Sequence, residues 1–204
     1  MISHKDKFIF IHIPKCGGTS IERFILSHHG ISNDWTLQYP LESLPKKIKA
    51  DFNIGFDQQQ HASLDDFPLE KQKEYFSFAF VRNPWDRLVS SYLYFKRSDY
   101  GISSFRDFFK AKECAIHRQP QSYFINKNID FIGRFENLQE DFNLVCEKLG
   151  IKPKQLPHEN KTVRKKWNGI IYEHYTEWYS DKNKKLVQDM YSEDIETFNY
   201  KFGE

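Results

Sequence analysis

The chain has 204 residues, of which 28% are charged, and its formal net charge is +2 at pH 7. This length suits a single α/β domain, which we expect over residues 1–204. The small net charge argues against a nucleic-acid partner, and the content of 19 Phe and 11 Tyr argues against a disordered chain.

No apolar run approaches the roughly 18 residues that a membrane span needs. Residues 1–7 lead into the first strand without the apolar segment of a signal peptide. We therefore expect a soluble, cytoplasmic protein with no transmembrane segment. Cys16, Cys114 and Cys146 are widely spaced, which indicates reduced thiols rather than a disulfide framework or a zinc site.

An apolar run over residues 8–13 changes abruptly to Pro, Lys and paired Gly. This pattern predicts a buried strand that enters a tight loop. Apolar residues then recur at helical spacing over residues 21–25. The hydroxyl residues Thr19 and Ser20 mark the expected start of this helix, which should end near Gly30.

The loop before this helix has the composition of an anion site. The N–H groups and positive dipole of a helix N-terminus attract anions, and Gly17 and Gly18 allow close approach of the backbone. Lys15 adds a full positive charge. The nucleotide P-loop pattern places its Lys directly before the hydroxyl residue, whereas Lys15 precedes both glycines, which disfavours an ordinary ATPase or GTPase. From this stretch alone, a plain strand-turn-helix corner with a solvated Lys stays open.

Residues 31–60 show weak periodicity and predict a mostly irregular surface segment that could border a substrate cleft. Lys46, Lys47 and Lys49 lie within it. They would form either a basic edge that faces an anionic acceptor or, more simply, a solvated charge cluster.

A second strand is predicted over residues 76–81, followed by Arg82. The Asn-Pro pair that comes next is typical of an N-cap and a first-turn proline, here for a helix over residues 85–96. Arg82 would lie at the C-terminal edge of a strand, where open α/β sheets bind ligands. Its guanidinium can bind a phosphate bidentately, and Ser90 can add a hydroxyl. Arg87 could instead pair with Asp86 or with Glu side chains on the surface, and we expect it to be structural.

The remaining elements are read from periodicity. Residues 103–127 predict a helical, aromatic stretch, and residues 130–133 predict a short strand. An amphipathic helix over residues 138–149 should end at Gly150, and a last helix should cover residues 181–198.

Two motifs in this order carry a family resemblance. Residues 14–20, Pro-Lys-Cys-Gly-Gly-Thr-Ser, and residues 81–92, Val-Arg-Asn-Pro-Trp-Asp-Arg-Leu-Val-Ser-Ser-Tyr, resemble sulfotransferases that use 3′-phosphoadenosine-5′-phosphosulfate (PAPS). The carbohydrate-modifying branch is the most similar. The resemblance continues through residues 133–138 and 194–200. It implies a three-layer α/β/α fold with a mostly parallel central sheet, like that of P-loop nucleotide-binding proteins.

The resemblance also implies where the donor binds. In that family the first loop holds the 5′-phosphosulfate and the second motif holds the 3′-phosphate. The matching residues here are Lys15, Cys16, Gly17, Gly18, Thr19, Ser20, Arg82 and Ser90. Lys15 would also act in catalysis by stabilising the charge on the departing phosphate. The product would be 3′-phosphoadenosine-5′-phosphate (PAP), and no metal is expected.

A late basic loop closes over the phosphates in related enzymes. This makes Lys161 and Arg164 candidates for donor binding, with an exposed basic loop as the alternative reading. Cys16 takes the place of a small loop residue, and we expect it to be passive rather than a reactive thiolate.

Transfer to a hydroxyl requires a general base. Several carbohydrate sulfotransferases place a catalytic His between the two PAPS motifs, and His61, which Ala-Ser follows, matches that position. His12, Glu22, Asp65 and Asp66 stay open as other bases, although the two Asp residues could equally cap a helix.

The implied acceptor is a carbohydrate or glycoconjugate, and the sequence does not fix the oligomeric state. Two other functions stay open. A P-loop-type kinase would bind ATP and transfer phosphate, whereas a nucleotide- or glycan-binding protein would bind without catalysis.

Overall fold

A computed structural model of the chain describes residues 1–30, 61–97, 100–157 and 174–204, together with the backbone of residues 165–167 and 170–172. The chain divides into two compact units. The first comprises Met1–Val81 and Tyr123–Glu159, and the second comprises Arg82–Ser122 and Asn160–Glu204. The single domain expected from the chain length stays a prediction.

The first unit contains a four-stranded sheet in the order β1-β2-β3-β4. Its strands are β1 (Ile2–Ser3), β2 (Phe8–Ile11), β3 (Phe76–Val81) and β4 (Phe131–Arg134). Strand β1 is antiparallel to β2, whereas β2, β3 and β4 are parallel. The α/β class and the mostly parallel sheet predicted from the sequence are confirmed.

The two central strands are apolar along nearly their whole length because helices cover the faces of a parallel sheet. Phe8, Phe10, Phe78 and Phe80 are each at most 1% exposed. In the parallel register Phe10 lies beside Phe78, and their ring centroids are 5.0 Å apart. These rings form the centre of the first unit's core.

The helices of the described residues follow in chain order. They are α1 (Gly18–His28), α2 (Leu69–Glu74), α3 (Pro84–Arg97), α4 (Phe105–Lys110), α5 (Leu138–Leu149), α6 (Asp181–Met190) and α7 (Ser192–Thr197). In the first unit α1 packs on α5 through Phe24 and Phe142, whose ring centroids are 4.9 Å apart. Gly150 ends α5 with φ 66°, as its composition predicts.

The second unit packs α3, α4, α6 and α7 around a largely aromatic core. Its buried aromatic members include Trp85, Tyr92, Phe95, Phe108 and Tyr191. A short antiparallel hairpin, β5 (Lys165–Trp167) and β6 (Ile170–Tyr172), belongs to the same unit.

Two helix predictions were too long. Residues 103–127 contain only α4 and short 3₁₀ turns, and the last helix breaks at Tyr191 into α6 and α7. The predicted surface segment 31–60 lies outside the described residues. Within the part of the chain that the structure describes, no helix is long and apolar enough to cross a membrane.

Candidate active site

The loop of residues 12–17 connects the end of β2 to the start of α1. Two of its residues have left-handed backbone, Lys15 with φ 66° and Gly17 with φ 84°. The Gly17 carbonyl accepts hydrogen bonds from the N–H groups of Ser20 at 3.1 Å and Ile21 at 3.3 Å. Helix α1 therefore begins at Gly18, slightly earlier than predicted, and Thr19 and Ser20 lie in its first turn.

The paired glycines are required by close packing. A Cβ atom on Gly18 would lie 2.1 Å from the ring of His12, and a Cβ atom on Gly17 would lie 2.8 Å from Leu138. Phe135 also lies within 3.3 Å of that second position. The loop therefore rests on Phe135 and on the start of α5 at Leu138.

Lys15 and Cys16 occupy different environments within the loop. Lys15 is partly exposed, whereas Cys16 is 1% exposed and its Sγ donates to the Pro14 carbonyl at 3.6 Å. An anion on the loop could therefore meet the Lys15 ammonium but only the main chain of Cys16. This geometry supports the passive reading of the thiol.

Two histidines meet at the start of the loop: His12 is its first residue, and His61 packs against His12. His12 is 4% exposed, and its Nδ1 lies 2.9 Å from Oε1 of Glu22 on α1. The Nδ1 atom of His61 lies 2.8 Å from the carbonyl oxygen of His12, and the two rings meet edge to face with centroids 4.9 Å apart. Because a carbonyl only accepts, the His61 Nδ1 carries the proton, and its Nε2 is a basic nitrogen in the neutral ring.

The environment of His61 keeps it neutral. Burial, and secondly the neighbouring His12, lower the pKa of His61 from 6.5 to about 4, and the charge of Lys15 acts in the same direction. At pH 7 the imidazole is therefore in the form that can accept a proton.

The acidic residues considered as general bases each have a hydrogen-bond or ion-pair partner. Asp66 forms a capping box with Ser63, whose N–H and Oγ donate to Oδ2 of Asp66 at 2.7 and 2.9 Å. Asp65 is exposed and accepts a hydrogen bond from Asn126. Glu22 pairs with His12. The capping role that the sequence left open is the one in which Asp66 is found.

In the second unit, Arg82 directly follows β3 and is 7% exposed. Its Nε and Nη2 donate to Oδ2 of Asp86 at 2.9 and 2.7 Å, a pair separated by one helical turn. Asn83 Oδ1 accepts from the N–H of Trp85 at 3.2 Å, which confirms the predicted N-cap. Ser90 lies further along α3 and is 7% exposed.

The surface ion pair that the sequence left open for Arg87 is not found among the described residues. Arg87 is 1% exposed, its Nη2 donates to the Gln119 carbonyl at 2.7 Å, and its guanidinium lies over the ring of Tyr191 at 5.4 Å. Asp86 pairs with Arg82 instead. Sequence reasoning missed this pair, although the spacing of four residues was a usable signal.

The basic residues predicted to close over the donor, Lys161 and Arg164, lie outside the described residues, as do Lys46, Lys47 and Lys49. Among the side chains that the structure describes, no group of three or more His, Cys, Asp or Glu could hold a metal ion.

Comparison with known proteins identifies the family of this chain. The profile of the sulfotransferase family matches residues 1–201. The chain belongs to the sulfotransferase family. The resemblance drawn from the two motifs is thereby confirmed.

Two relatives match this sulfotransferase over different lengths. An uncharacterised protein of Archaeoglobus fulgidus is 41% identical over 88 residues, which cover 40% of this chain and 72% of the relative. Human carbohydrate sulfotransferase 9 is 23% identical over 247 aligned positions, which cover 98% of this chain. The match takes in 52% of the human protein, so the chain spans about half of that relative's length.

Two solved sulfotransferase structures are similar to the chain. Mouse sulfotransferase SULT7A1 complexed with PAP is similar with a TM-score of 0.50 and 15% identity, over 96% of this chain and 86% of that one. A sulfotransferase from Alicyclobacillus acidocaldarius has a TM-score of 0.46 and 13% identity, over 93% and 92% of the two chains. The chain thus has the P-loop-like, three-layer sulfotransferase fold predicted from its sequence.

Proposed function

We propose that this sulfotransferase moves the sulfuryl group of PAPS to a hydroxyl of a carbohydrate-type acceptor and leaves PAP. One observation carries the proposal. The His61 ring is hydrogen-bonded to the main chain of the loop of residues 12–17, and the charge of Lys15 in that loop lowers the pKa of His61. The human relative supports a carbohydrate acceptor, and the PAP complex of the mouse neighbour supports the nucleotide.

The residues of the loop fit an anionic donor. Gly17 and Gly18 keep the first turn of α1 free of side-chain bulk, and the N–H groups of a helix N-terminus favour a phosphate or sulfate. Lys15 supplies the full positive charge. When bound, PAPS would supply an activated sulfuryl group whose leaving group is a phosphate. Lys15 and the main chain of residues 17–20 would hold the charge on that leaving group, and one such contact is typically worth about 100- to 1000-fold in rate.

His61 would accept the proton of the acceptor hydroxyl at Nε2, because its Nδ1 donates to the His12 carbonyl. A pKa of about 4 makes His61 a weak base in the absence of ligand. Negative charge next to Lys15 favours the imidazolium form, so donor binding would raise this pKa toward neutrality. General-base catalysis of this kind is typically worth about 100- to 10,000-fold.

Arg82 and Ser90 would bind the 3′-phosphate and so discriminate PAP from nucleotides without it. A buried guanidinium held by a carboxylate has little freedom to lose when it binds a second anion. Lys161 and Arg164 stay predicted donor ligands.

The first test is calorimetric binding of PAP, AMP and ATP to the wild type and to Arg82→Ala. We expect a preference for PAP over AMP that Arg82→Ala abolishes. His61→Asn should then bind PAP normally. Its transfer of radiolabelled sulfate from PAPS to a panel of oligosaccharides should fall at least about 100-fold.

Other outcomes would assign other functions. If ATP bound as well as PAP and supported phosphate transfer, a kinase would be the better reading. If PAP bound but His61→Asn altered no transfer to any oligosaccharide, the chain would be a binding protein or would use another base.

A further inference from the structure

The main chain of Arg82 is held by the side chain of a residue far away in sequence. The N–H of Arg82 donates to Oε1 of Gln121 at 2.8 Å, and Nε2 of Gln121 donates to the Arg82 carbonyl at 3.0 Å. One side-chain amide thus occupies both polar groups of the Arg82 main chain. Gln121 is 0% exposed and 39 residues away from Arg82 in the chain.

Gln121 is held in turn by Asp194 of α7. Oδ2 of Asp194 accepts from the N–H of Gln121 at 2.7 Å and from its Nε2 at 3.4 Å. Oδ1 accepts from the N–H of Ser122 at 2.9 Å. Asp194 is 0% exposed, so these donors take the place of water around its carboxyl group.

This chain of hydrogen bonds complements the pair that Arg82 makes with Asp86. Asp86 fixes the guanidinium, whereas Gln121 fixes the peptide from which the side chain starts. Buried polar networks of this kind are rigid when all their members are satisfied, and loss of one member leaves buried donors or acceptors without partners.

We propose that Gln121 and Asp194 are positioning residues that set the direction in which Arg82 meets the 3′-phosphate. The C-terminal motif that begins at Asp194 then has a role in nucleotide selectivity, besides packing. This inference rests on the proposed function, because it takes Arg82 to be the ligand of the 3′-phosphate.

The test compares PAP with AMP by calorimetry in Asp194→Asn and in Gln121→Met, which removes the amide at similar volume. PAP affinity should fall about tenfold in each, whereas AMP affinity should stay within about twofold. The matched control is Asp107→Asn, since Oδ2 of Asp107 also accepts from two neighbouring residues, Ser103 and Ser104, without contacting Arg82. The control should leave both affinities unchanged.

A second measurement uses the wild type, so it does not depend on whether a variant folds. Hydrogen exchange of a peptide covering Gln121 and Ser122 should be slower with PAP than with AMP at equal saturation. Equal exchange with the two nucleotides, or an unchanged ratio of PAP to AMP affinity in the folded variants, would overturn the inference.

The two failures are distinguishable. If the wild type shows no preference for PAP, the proposed function itself fails. If Arg82→Ala loses the preference while Asp194→Asn and Gln121→Met keep it, Arg82 binds the 3′-phosphate without help from this network.

Discussion

The partly buried imidazole of His61 makes the stability of the fold depend on pH. Burial, and secondly His12, lower the pKa of His61 from 6.5 to about 4 in the folded chain, so the unfolded chain binds this proton more tightly. The free energy of unfolding therefore has its full value above pH 6.5 and decreases as the pH falls from 6.5 toward 4. At about 1.4 kcal/mol per pH unit, the loss is about 2 kcal/mol at pH 5 and about 3 kcal/mol at pH 4.

The substitution His61→Asn isolates this contribution. Asparagine keeps an N–H donor close to the position of Nδ1, so the bond to the His12 carbonyl can form, but it does not titrate in this range. Urea unfolding at pH 7 and pH 5, without nucleotide, should show that the wild type loses about 2 kcal/mol more than the variant. Between pH 8 and pH 7 the two proteins should behave alike, which serves as the control. An equal loss between pH 7 and pH 5 would refute the burial argument.

Two further predictions concern the loop and the thiols. Gly18→Ala should lose about 1–3 kcal/mol of stability and weaken PAP binding, because its Cβ would meet His12. Gly30→Ala, with φ 74° but open space around it, should cost about 1 kcal/mol and leave PAP binding unchanged, and urea unfolding with calorimetry checks both. Cys16, Cys114 and Cys146 are all buried, and burial raises the pKa of Cys146 to about 11. An aromatic disulfide reagent should therefore label all three rapidly only in urea, and fast labelling of the native protein would contradict this.

Local signals located the elements that carry the candidate site. The change from apolar residues to Lys and paired Gly identified the strand, the loop and the helix, because each depends on neighbouring residues alone. The Asn83 N-cap, the first-turn proline and the stop at Gly150 were predictable for the same reason.

Tertiary contacts decided what the sequence could not. Residues 103–127 carry apolar residues at nearly helical spacing, but α4 is the only α-helix among them. Cys114 and His117 are buried from separate short 3₁₀ turns instead. The helix break at Tyr191 coincides with a bond from its hydroxyl to the Arg118 carbonyl, 73 residues away. Gln121 and Asp194 are likewise separated by 73 residues, so no local sequence pattern predicts their hydrogen bond.

The residues on which the loop of residues 12–17 packs are synthesised long after the loop itself. Gly17 lies against Leu138 and Phe135, which belong to a part of the chain that a ribosome makes much later. A nascent chain that ends before Phe135 has the complete loop sequence but lacks the two side chains against which Gly17 packs. Under the proposed function, we therefore expect nucleotide binding only after β4 and the start of α5 have left the ribosome.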